Sequence, residues 1–119
     1  MQSSELLALV LSVLDEGKGV DIRVIDVRGK TSITDYMIVA SGNSDRHVKA
    51  LSDRVAEKSK ERGVQPLGVE GQGAGEWVLV DLADVIVHVM KPQIREFYQL
   101  EKLWQGDYRE PAVVRTGTD

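Results

Sequence analysis

The sequence predicts a single α/β domain, with a mixed β-sheet of about five strands flanked by helices. Five short stretches have the alternation or composition of strands, and three longer ones repeat apolar residues at helical spacing. Turns rich in glycine, serine or asparagine separate them, and no internal repeat or linker breaks the order. A chain of 119 residues suits one domain with one core.

Composition narrows the function classes. Apolar and charged fractions of 42% and 29% are ordinary for a globular protein. The absence of cysteine excludes disulfides, thiolate catalysis and cysteine-ligated zinc, and it fits a cytoplasmic protein. A net charge of −4 weighs against a nucleic-acid backbone as the main partner and favours a basic protein. The apolar run Leu6–Leu11 is short, has no basic stretch before it and is followed by Asp15-Glu16. Neither a signal peptide nor a membrane anchor is expected from it.

Residues 4–16 read as a helix, with Leu7, Val10, Leu11 and Leu14 on one face and Leu6, Leu9 and Val13 widening it. Ser3 or Ser4 is the expected cap, and Gly17 the expected left-handed terminator. So broad an apolar face implies deep burial or a second copy, and the chain is expected to be a monomer or a weak homodimer. Asp21–Val27 alternates charged and apolar residues, as a strand wet on one face does. The polar connection Arg28-Gly29-Lys30-Thr31-Ser32 leads to a more uniformly apolar, central strand at Tyr36–Ala40. Asn43 or Ser44 caps a second helix that runs to about Arg62, with a thin apolar seam of Val48, Leu51 and Val55. Val64–Val69 is expected as an edge strand, because Pro66 lacks a ladder donor. A glycine-rich loop then precedes a hairpin, Trp77–Leu82 and Val85–Met90, that turns at Ala83-Asp84. Pro92 opens a last helix in which Ile94, Phe97, Leu100 or Glu101, and Trp104 recur at helical spacing. The domain is taken as residues 1–105, with a flexible tail over 106–119.

Four constellations carry chemical suggestions. Ser41-Gly42-Asn43-Ser44 before a helix could hold a phosphate, but no lysine follows, and turn-and-cap duty explains the residues as well. Gly71-Gln72-Gly73-Ala74-Gly75 leads into a strand rather than a helix, unlike a dinucleotide loop. Asp81 and Asp84 could hold Mg²⁺ with His88 as base, giving a nucleotide-binding or nucleotidyltransferase-like alternative that would draw on Ser41–Ser44. No adjacent nucleophile or third carboxylate supports it, so neither a catalytic residue nor a metal or cofactor is expected. The fourth reading is a contact surface. From Gly68 to Met90 the chain carries Glu70, Glu76, Asp81 and Asp84 and no lysine or arginine. An exposed Trp77 and Leu82 ringed by these acids match an interface with an apolar anchor and a polar rim. Trp77 folded onto the core is the plainer alternative.

Several of these residues recur in order as Asp35-Tyr36, the run Ser41–His47, Glu70-Gly71, Trp77, Asp81, the run Asp84–His88 and the run Arg95–Trp104. In them the chain resembles the Iojap family, the bacterial ribosomal silencing factors, over about residues 5–105. The resemblance implies a nucleotidyltransferase-like fold without established transferase activity. It also implies binding to the large ribosomal subunit through ribosomal protein fourteen of that subunit. Such binding blocks joining of the small subunit and slows translation when nutrients are short, and it leaves room for a minor contact with rRNA. The positions that carry over as partner-binding are Trp77, Asp81, Leu82, Asp84 and His88, with Lys91 and Tyr98 near the end of the sheet. The family often has an aromatic residue and a glycine where this chain has Leu82 and Ala83, and a phenylalanine where it has Met90.

Overall fold

A computed structural model describes residues 1–99; the side chains of Phe97 and Tyr98 lie outside the described part. The expected continuation of the last helix to Trp104 and the tail over 106–119 fall outside it as well. The elements run α1 (Ser3–Glu16), β1 (Val20–Asp26), β2 (Tyr36–Ser41), α2 (Asp45–Glu61), β3 (Gly68–Glu70), β4 (Trp77–Asp81), β5 (Val85–Met90) and α3 (Pro92–Tyr98). The strands form one sheet in the order β1-β2-β5-β4-β3. Only the β2–β5 pair is parallel, so the sheet is mixed as predicted.

Both faces of the sheet are used, and they differ. On one face Ile22, Val24, Ile38, Ala40, Val78, Val80, Val85, Val87 and Val89 meet α1 and α2 in the main core. On the other, a smaller cluster of Ile25, Val27, Val39 and Met90 is covered in part by Met37, Trp77 and Ile94 of α3. The side of β1 away from the helices is partly wet as expected, with Asp21 and Arg23 half-buried, while Ile25, and Val27 just past the strand, are as buried as Ile22 and Val24. β3 is shorter than the expected Val64–Val69 but does lie at an edge.

The helix ends differ from expectation in instructive ways. Gln2 rather than Ser3 or Ser4 precedes α1, and the Glu5 carboxylate accepts its backbone N–H at 2.9 Å. Gly17 keeps an ordinary φ of −82°, while Lys18 takes the left-handed position at φ 69°. Gly17 is needed for closeness instead. A Cβ there would stand 2.6 Å from Leu51 Cδ2, so its absence lets the end of α1 rest on α2. Ser44 caps α2 as expected, accepting the His47 N–H at 3.1 Å. His47 ties three segments together. Its Nδ1 accepts the Asn43 N–H at 2.9 Å, so Nε2 carries the proton and donates to the Gly17 carbonyl at 2.8 Å.

Candidate functional site

The sheet register decides which of the predicted site residues can act together. β2 and β5 run parallel, pairing Tyr36 with Val85 and Ser41 with Met90. At about 3.3 Å per residue, the Asp84 end and the Ser41–Ser44 end of that pair stand roughly 17 Å apart. Asp81 and Asp84 therefore cannot share a metal-bound phosphate with the Ser41–Ser44 turn, and the nucleotidyltransferase-like constellation is not assembled. Among the described residues, no group of three or more His, Asp or Glu is placed to hold a metal ion.

The hairpin residues divide between the two ends of β4. Trp77 begins the strand and Asp81 ends it, roughly 13 Å away at the rise of an extended chain. Trp77 and His88 come together. β4 presents Trp77, Leu79 and Asp81 to the face opposite α1 and α2, and β5 presents Ile86, His88 and Met90 there. The indole Nε1–H of Trp77 donates to His88 Nδ1 at 3.0 Å, with the rings tilted 53° and their centroids 6.0 Å apart. His88 is only 7% exposed, and burial pushes its pKa down from 6.5 to about 4. A neutral ring leaves Nδ1 free to accept the indole proton, so burial and the hydrogen bond favour the same protonation state. His88 is thus a support beneath Trp77 and not the surface contact expected from the sequence.

Trp77 remains half-buried, as do Leu79, Ile86 and Met37 on the same face. Leu79 sits directly opposite His88, and Met37 directly opposite Ile86, so these side chains form a continuous apolar strip across three strands. Glu70 lies across from Leu79 and Asp81 across from Ile86, bringing carboxylates to its border. Lys91 sits at the far end, its backbone N–H bonded to the Glu76 carbonyl and its Nζ 3.0 Å from Asp45 Oδ1. Lys91 is therefore already engaged by an acid within the chain. Tyr98 ends α3, and its side chain is among those not described.

Gly71 sets where β4 begins. It holds φ 90°, and any Cβ there would collide with the Trp77 carbonyl, so this glycine is required by the close approach of the loop to β4.

The turn holds the main correction. Leu82, expected as an exposed anchor, is 2% exposed and belongs to the main core. Its N–H donates to the Val85 carbonyl at 2.9 Å, and the chain bends so that its side chain enters the helix-side core. Ala83 takes the strain of that bend at φ 73°, with its N–H donated to Asp81 Oδ1 at 2.9 Å. A non-glycine residue in the left-handed region costs on the order of 1 kcal/mol. Ala83→Gly should therefore stabilise the fold by up to about 1 kcal/mol, raising a thermal midpoint by about 4 °C. An unchanged or lower midpoint would show that the alanine is not strained there.

Comparisons with known proteins agree with one another. A family profile described as "Ribosomal silencing factor during starvation" (RsfS) matches residues 1–117. The ribosomal silencing factor RsfS of Chromobacterium violaceum is 48% identical over 113 residues, which cover 95% of this chain and 93% of that one. A mouse protein named "Mitochondrial assembly of ribosomal large subunit protein 1" is 35% identical over 99 residues, 81% of this chain but 43% of its own length. A crystal structure of a protein from Chromobacterium violaceum superposes with a TM-score of 0.87 at 47% identity, covering 95% of this chain and 94% of that one. The match in sequence extends over nearly the whole chain, the fold agrees, and the chain belongs to the family of ribosomal silencing factors (RsfS).

Proposed function

We propose that this protein binds the large ribosomal subunit through ribosomal protein fourteen of that subunit, and so blocks joining of the small subunit and represses translation when nutrients are limiting. The observation that carries the reading is the half-open apolar strip of Trp77, Leu79, Ile86 and Met37, bordered by Glu70 and Asp81, in a chain of this family. An aromatic side chain already held in place by a part-buried hydrogen bond suits an anchor, and carboxylates at the border suit a basic protein surface. The name of the mouse relative, with its large-subunit assembly, supports the choice of subunit. On this reading the protein acts by occupying a surface, without a catalytic step or a cofactor, in the cytoplasm and as a monomer or weak homodimer. Among the described residues no helix is long and apolar enough to cross a membrane.

Sedimentation with separated subunits tests the proposal directly. The protein should travel with the large subunit and not with the small one, and its addition before mixing should lower the yield of joined ribosomes. Migration at the top of the gradient in the presence of large subunits would rule the reading out.

A further inference from the structure

Two exposed aliphatic side chains flank the β4–β5 turn, and the apolar strip uses neither. Ile33, in the loop between β1 and β2, is 74% exposed, and Leu67, just before β3, is 73% exposed. Neither contributes to the two core clusters. Backbone hydrogen bonds fix both segments to the turn. The N–H groups of Asp35 and Tyr36 donate to the Asp84 carbonyl at 3.0 and 3.1 Å, and the Leu67 N–H donates to the Asp81 carbonyl at 2.8 Å. With β2, β5, β4 and β3 adjacent in that order, the two flanks are about three strand spacings apart, roughly 14 Å.

Between the flanks stand Asp35 just before β2, Asp84 just before β5 and Asp81 at the end of β4, the last with one carboxylate oxygen accepting the Ala83 N–H. Of the cations on the β1–β2 loop, Arg28 is engaged by Asp26, 2.9 Å from Nε to Oδ1, and its guanidinium lies 5.0 Å from the centre of the Tyr36 ring. Lys30, in the outer turn of that loop, is the other. The end of the sheet thus combines two apolar side chains with an acidic middle. Carboxylates there repel nucleic-acid phosphates, and a symmetric contact with a second copy would set the same acids against one another. A basic protein surface fits both features.

We propose that Ile33 and Leu67 are apolar anchors of a second contact region, in which the turn end of the sheet receives a basic protein surface whose Lys and Arg side chains meet Asp35, Asp81 and Asp84. The inference rests on the ribosome-binding reading and extends it to a part of the molecule about one strand length from Trp77. It also gives these two side chains the role that Leu82, being buried, cannot fill.

The test is a titration of purified large subunits, by co-sedimentation, with the wild-type chain and with the double variant Ile33→Ser, Leu67→Ser. Both side chains project from the fold, so the double variant should melt as the wild type does. Its apparent Kd should rise by about tenfold or more, as for two interface anchors removed together. If the wild type does not sediment with large subunits, the ribosome-binding reading itself fails. If the wild type binds and the double variant stays within about twofold of it, the second contact region alone is overturned. A double variant that binds normally but loses a dimer seen for the wild type by sizing would assign these residues to self-association and overturn the proposal equally.

Discussion

Trp77→Ala is expected to weaken co-sedimentation with large ribosomal subunits by about thirtyfold or more, roughly 2 kcal/mol, the usual cost of truncating a central aromatic anchor. The structure adds a second effect, on the fold. Removing the indole takes away the donor to His88 Nδ1 and uncovers part of the cluster around Met90. A buried acceptor left unpaired costs about 1–3 kcal/mol, so binding must be compared at conditions where both proteins are folded. Trp77→Phe separates the contributions: it keeps much of the apolar surface and loses the donor. Glu76→Ala, which changes an exposed charge beside the anchor, should bind within a few-fold of wild type and show a weaker dependence on salt. Equal loss in Trp77→Ala and Glu76→Ala would remove Trp77 from the centre of the contact.

Acid should destabilise the protein in a window set by His88. Its pKa is near 6.5 in the unfolded chain and about 4 in the folded one. Between those values the unfolded chain binds a proton that the folded chain refuses, so stability falls as pH drops from about 6.5 to about 4 and the loss is complete below that. The size is on the order of 3 kcal/mol, from a difference of about two and a half pKa units. Urea midpoints between pH 7 and 5, compared with those of a His88→Gln variant, isolate the part of the loss that belongs to His88. His88→Gln removes this titration while keeping an acceptor for the indole, and its stability should fall less than that of the wild type over that interval. Parallel decline in wild type and His88→Gln would trace the acid sensitivity elsewhere.

Much of the hairpin could be read from the sequence because strand periodicity is local. Alternation alone puts Asp84, Ile86, His88 and Met90 on one side, and the register bears this out for Ile86, His88 and Met90, while Asp84 falls in the turn before β5. The partner of His88 is less legible: Trp77 reaches it diagonally across two strands, which needs the register as well as the alternation. Leu82 misled because residues at a hairpin tip are usually exposed, whereas here the bend at Ala83 directs the side chain back under the sheet. The distance between Ser44 and Asp84 was hidden for another reason. It follows from the parallel pairing of β2 and β5, which are far apart in the chain. Ile33 lies in a loop with no periodic signal, and Leu67, expected within the edge strand Val64–Val69, stands just before the shorter β3, so only the folded surface distinguishes them from residues that pack.

β5 is hydrogen-bonded on both sides and has buried residues on both of its faces. A strand so placed is among the last parts of a protein to open in native-state hydrogen exchange. Because His88 sits on that strand and holds the indole of Trp77, the proposed anchor is supported by one of the most protected strands of the sheet. A partner would therefore meet Trp77 already in its bound orientation. Little conformational entropy would be lost at the anchor on association, and the complex would gain affinity without any additional contact.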